Sequence, residues 1–172
     1  MDYQFKAEGF EALFQRMDEL REEIGRAKTD RIWRSALLYA MEPVLQDAIS
    51  YAPYDADSKD GHLKDHIYMK AHRPQMFDRG SKYYQGESYL VRVTSSPIRD
   101  TSFLHTTLNK KGKFQTRWKG LKPVGVSQEF GNKRVRKHAF LKPALNDNIE
   151  NIQGRLGQAL KAQIDKIAEG KK

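Results

Sequence analysis

Two stripes of apolar residues near the start of the chain, and a third at its end, limit the fold more than any other feature. Phe10, Leu13, Phe14, Met17, Leu20 and Ile24 recur in steps of three and four, which marks one face of an amphipathic helix. Glu11, Arg16, Glu19, Glu22 and Glu23 fill the opposite face, Gly25 is a natural stop, and Asp30 is the expected N-cap of the next helix. The second stripe runs Ile32, Trp33, Ala36, Leu37, Ala40, Val44, Leu45, Ala48 and Ile49. If continuous to Tyr51 it spans ~30 Å. Pro43 falls inside it, deleting a donor and crowding the preceding turn, so a bend or break is expected there. Ala52-Pro53 ends the helix, because a residue before proline leaves the helical region. The third stripe, Leu145, Ile149, Ile152, Leu156, Ala159 or Leu160, Gln163 and Ile167, starts from Pro143 in a first turn. Gly154 and Gly157 weaken it, so packing must hold it.

The chain between these helices has a different period. Leu63 to Met69 predicts a short helical turn passing into a strand. Residues 71–88 are polar and predict a long loop or hairpin tip. Tyr89 to Thr94 alternates and is the best strand. Residues 95–121 lack any helical stripe, and a segment that long signals a functional arm or a hairpin ordered by a partner. Val124 to Phe130 suits a strand or a short helix ending at Gly131. Helices flanking strands predict one α+β domain over 1–172, its N-terminal helices and C-terminal helix packed on a mostly antiparallel sheet, with extended arms at about 71–88 and 95–122.

Charge is concentrated. Between Asp100 and Lys142 eleven Lys or Arg stand against two acids, so the whole formal surplus of +9 lies there and the remainder is balanced. Such a block faces an acidic protein, a nucleic acid or only water. The expected contact residues are Lys110, Lys111, Lys113, Phe114, Arg117, Trp118 and Lys119, then Lys133, Arg134, Arg136 and Lys137. Aromatic–basic interleaving around Phe114 and Trp118 is also how single strands are held. Two aromatics packing a hairpin among wet lysines is the favoured reading, since no nucleic-acid-binding signature accompanies them.

Signs of catalysis are few. The chain has no cysteine, which removes disulfides, thiol chemistry and cysteine-based metal centres. His62 and His66 are four apart, but Leu63 stands where a metalloprotease helix needs Glu, so no metal is expected. There is no nucleophile elbow and no phosphate-cradling glycine loop, so neither an enzyme nor a cofactor is expected. Trp33 and Tyr39 fit core or interface positions. The start lacks a secretion-signal layout, and the apolar run Ala36–Met41 is far short of the ~20 residues of a membrane helix, which predicts a soluble, intracellularly folded chain.

Two segments carry a family likeness. Ala52-Pro53 is followed by Asp60-Gly61-His62-Leu63 and His66-Ile67. Later come Glu129-Phe130-Gly131-Asn132 and His138-Ala139-Phe140-Leu141-Lys142-Pro143-Ala144-Leu145. In this order they resemble the tail-completion (head–tail joining, neck) family of long-tailed bacteriophages and prophages. Asp60 replaces Thr, His66 replaces Ser, Ala139 stands where proline is usual, and the arms are larger. The resemblance implies a structural virion protein forming a homo-oligomeric ring, with six-fold symmetry matching a tail tube, between the head connector or portal and the tail tube or tail terminator. It further implies assembly in the host cytoplasm and a passing contact with genomic DNA. The alternative is a nucleic-acid-binding protein using residues 100–142. Gly61 and Gly131 suit turns of positive φ, Phe140-Leu141 can bury an apolar anchor, and Glu129 is expected to pair with a nearby Arg or Lys.

Overall fold

The structure is a computed structural model that describes residues 11–57, 62–82, 84–95, 104–118 and 124–169. Gly61 and Lys119 lie outside these residues, and for Arg117 and Trp118 only the backbone is described. The fold is α+β. Its helices are α1 (Glu11–Ile24), α2 (Arg26–Tyr51), α3 (Met76–Arg79), α4 (Val124–Phe130), α5 (Leu141–Asp147) and α6 (Ile149–Glu169). The strands are β1 (Ile67–His72), β2 (Leu90–Ser95), β3 (Leu104–Leu108) and β4 (Phe114–Trp118). Among the described residues they form two two-stranded sheets, β1–β2 and β3–β4.

The chain divides into two compact units: Met1–Glu42 with Lys70–Val91 and Ile149–Lys172, and Pro43–Met69 with Arg92–Asn148. In the first, the stripes of α1, α2 and α6 meet. Met17, Leu20, Ala36 and Leu160 are buried together, flanked by Leu13, Phe14, Ile32, Trp33, Leu156 and Ile164. This packing holds α6 together across Gly154 and Gly157. In the second unit the buried apolar residues include Val44 and Ala48, on one face of α2, and Ala52 just past its end, with Ile67, Phe140 and Ala144.

Several elements differ from expectation. Asp30 is not an N-cap: α2 starts at Arg26, directly after Gly25 takes a φ of 83°. The Asp30 carboxylate instead accepts hydrogen bonds from Arg73 Nη2 and the Tyr89 hydroxyl. No break occurs at Pro43, and α2 runs through it. Proline removes the donor that would reach the carbonyl of Tyr39, and Arg155 of α6 supplies replacements, Nε at 3.1 Å and Nη2 at 2.9 Å. The same guanidinium lies 4.0 Å from the centre of the Tyr39 ring. The last helical stripe is two helices interrupted at Asn148. Its Nδ2 donates to the carbonyl of Ala144 at 2.9 Å and to Asp47 Oδ2 at 2.6 Å, while the Tyr51 hydroxyl donates to Asp147 at 3.0 Å.

The two segments expected as arms both contain regular structure. Residues 71–88 include the end of β1 and the single turn of α3, closed by a capping box between Gln75 and Asp78. Residues 95–122 include the β3–β4 hairpin. The 3-10 turn Leu63–His66 leading into β1, and β2 itself, lie where the sequence places them.

Candidate interaction site

The basic block falls within the second unit, and all its described cations but Lys142 of α5 belong to two elements, the β3–β4 hairpin and the loop between α4 and α5.

The hairpin is antiparallel, in the register Leu104↔Trp118, Thr106↔Thr116 and Leu108↔Phe114. Its tip is a tight turn. The Gly112 N–H donates to the Asn109 carbonyl at 2.9 Å, and the Asn109 N–H to the Lys113 carbonyl at 2.9 Å. Gly112 adopts φ 71°, the left-handed position such a three-residue loop requires. Asn109 Oδ1 accepts from the N–H groups of Lys111 at 2.9 Å and Lys113 at 3.0 Å, which locks the turn from inside. Lys110, Lys111 and Lys113 are exposed, and none makes an ion pair with a described residue. Beside them the facing pair Leu108 and Phe114 is 63% and 78% exposed. An aromatic and an aliphatic side chain standing together in water on a fixed turn form an unfilled contact.

The loop after α4 is also fixed. Gly131, at φ 75°, follows the helix with its N–H bonded to the Ser127 carbonyl at 2.9 Å. A Cβ on Gly131 would meet Lys137 at 3.1 Å, so the chain closes tightly here. Asn132 Oδ1 accepts from the N–H groups of Arg134 at 2.8 Å and Val135 at 2.9 Å, and the His138 N–H reaches the Gln128 carbonyl at 2.7 Å.

Glu129 corrects an expectation. It is buried, and its carboxylate pairs with no Lys or Arg among the described residues. It accepts the N–H groups of Phe140 and Leu141, each at 2.8 Å, and of Lys142 at 3.0 Å. These are the unpaired donors at the start of α5, so the acid acts as a remote cap and seats the fully buried Phe140. Leu141 and Pro143 lie in that first turn, and Ala144 is buried. Phe130, the preceding family-motif aromatic, is 74% exposed. Leu63 belongs to the 3-10 turn, Ile67 and Ala52 are buried, and Pro53 borders the basic loop.

Elsewhere, the first unit holds an open cavity of about 520 Å³ whose walls include Phe14, Trp33, Leu37, Arg73 and Tyr89. Several of its groups satisfy one another, while the buried Arg73 Nε has no partner among the described residues. Trp33 stacks on Tyr89 at 5.6 Å and meets Phe14 at 5.5 Å, and Arg73 is neutralised by Asp30. Burial alone would raise the Asp30 carboxyl. The hydrogen bonds from Arg73 and Tyr89, with the charges of Arg73 and Arg26, outweigh it and hold the group below the usual carboxylate range. The Tyr89 phenol is pushed up by burial and by its bond to Asp30. His62 lies against the Tyr54 ring at 4.4 Å, and no three His, Cys, Asp or Glu groups converge on a metal-sized site among the described residues.

Comparison with known protein families, characterised proteins and solved structures finds no match to this chain. No helix among the described residues is long and apolar enough to cross a membrane.

The local signals for both basic elements are present in the sequence. Asn109-Lys110-Lys111-Gly112 is a turn with Asx at its first position and Gly at its fourth, and Asn132-x-Arg134-Val135 is an Asx turn. The hairpin lies within the segment where the sequence allows one, and the Asn132 turn has no helical or strand period to set it apart from a plain loop. The role of Glu129 has no local signal, because its partners lie eleven to thirteen positions ahead.

Proposed function

We propose that the protein is a structural assembly component rather than an enzyme. It would act as a ring-forming joiner at the neck of a long-tailed phage, between the head connector and the tail tube. The observation that carries this reading is the hairpin tip: an exposed Leu108–Phe114 pair rimmed by Lys110, Lys111 and Lys113 on a turn locked by Asn109 and Gly112. Interfaces between proteins concentrate their energy in aromatic anchors surrounded by a polar rim, and this tip has that composition. Fixing the turn in advance lowers the entropy lost on docking. In a closed ring each such contact repeats, so a modest pairwise energy suffices. The resemblance around Ala52-Pro53 and Phe140–Leu145 gives the reading its neck location in the virion, and the basic rim suits an acidic neighbouring surface.

Light scattering on the full-length protein tests it. The native chain is expected to form a discrete oligomer, and the Leu108→Ser/Phe114→Ser variant to fall to smaller species with an unchanged circular dichroism spectrum. A native chain that stays monomeric at its highest soluble concentration contradicts the ring. A variant that assembles like the native chain contradicts the hairpin's part in it.

A further inference from the structure

The loop after α4 presents a different chemistry from the hairpin. Lys133, Arg134, Arg136 and Lys137 are exposed within five consecutive positions, and none makes an ion pair with a described residue. Three of them do not simply radiate into solvent. Arg134, Arg136 and Lys137, with His138, line an open cleft of about 600 Å³ against Pro53 and Gln128. The bonds made by Asn132, Gly131 and His138 hold the backbone, so the cations cannot relieve their repulsion by letting the loop unwind. A set of like charges carried on one fixed stretch of backbone lowers its energy by taking up an anion.

The cleft's composition selects among anions. It lacks the exposed apolar pair that the hairpin offers as an anchor for a protein. Surfaces that bind nucleic acid are densely positive. No Phe, Tyr or Trp lines the cleft, so the His138 ring is its one aromatic surface for an unpaired base. What remains is charge and hydrogen-bond donors on a held backbone, suited to phosphate oxygens, with two guanidinium forks able to take two oxygens each.

We propose that the 131–138 loop is a cradle for the phosphodiester backbone of a nucleic-acid duplex, read by charge and not by sequence. It acts independently of the hairpin. Contacts of this kind are weak and salt-dependent, and they let a protein slide along the duplex without gripping it. They are therefore compatible with a duplex that moves past the protein.

Fluorescence polarisation with the full chain tests this, using a labelled DNA duplex of about two helical turns over a range of salt. A single strand of equal length and poly-glutamate serve as competitors. Each lost phosphate contact lowers the slope of log K against log salt by about 0.9. Arg134→Ala/Arg136→Ala/Lys137→Ala is therefore expected to flatten the slope by about 2 to 3 and to weaken binding roughly tenfold or more at low salt. Arg134→Gln alone should flatten it by about 1, which guards against a folding defect in the triple variant. Lys110→Ala/Lys111→Ala/Lys113→Ala should leave the slope unchanged. The proposal is overturned if the duplex does not bind or if the cleft variants bind like the native chain. Loss of binding in the hairpin variant alone, or competition by poly-glutamate or the single strand equal to that of the duplex, overturns it as well.

Discussion

A carboxylate with three backbone partners and no cation makes Glu129 the residue on which the start of α5 depends. Replacing it with Gln keeps one acceptor oxygen but removes the charge and leaves at least one of three donors unmet. Glu129→Gln is expected to cost about 1–3 kcal/mol in a urea melt. Hydrogen exchange should quicken first at the amides of Phe140, Leu141 and Lys142. Asp30 makes a different prediction, because its carboxyl is held below the usual range in the folded chain. A depressed folded value contributes stability above the unfolded value of about 4 and loses it as pH falls through the folded value. Urea midpoints of the native chain should therefore drop below about pH 4 more steeply than those of Asp30→Asn, with the two curves converging in acid. Equal slopes would show that the bonds from Arg73 and Tyr89 do not favour the ionised form.

At the scale of elements, α2 shows how a break that a local rule allows is avoided for a reason visible only in three dimensions. The sequence places Pro43 inside a helical stripe, and the rule calls for a bend or break. The helix continues, and Arg155, more than a hundred residues away, supplies donors to the carbonyl the proline leaves bare. A double-mutant cycle measures this. Arg155→Ala should cost about 1 kcal/mol in the native background and less when Pro43→Ala has restored the amide, whose own N–H can then reach Tyr39. Equal costs in both backgrounds would mean that Arg155 acts only through the Tyr39 ring. The same distance in sequence explains which elements were legible. Stripes, the strand at Leu90–Ser95 and the 3-10 turn before β1 declare themselves by neighbours within a few residues. The split at Asn148 depends on Asp47 and Ala144, and the true start of α2 on a glycine conformation, so neither was readable from period alone. For the candidate site, composition located the cations. Separating them into a hairpin with an apolar anchor and a cleft without one took burial and register.

Across the whole molecule, the surplus charge belongs to one of two compact units, and the aromatic cavity with its Asp30–Arg73–Tyr89 group belongs to the other. The α+β class follows from this order of elements, and among the described residues the strands form two pairs where one sheet was expected. The division between units falls between Glu42 and Pro43, inside α2. Position 43 therefore matters beyond its own turn, and it constrains how the chain can change over time. A lineage that gives up Arg155 while keeping the proline passes through a form in which the Tyr39 oxygen has only water to meet it. One that first regains an amide at 43 keeps a protein donor on that oxygen throughout, so of the two mutational routes the one that begins at the proline is the gentler.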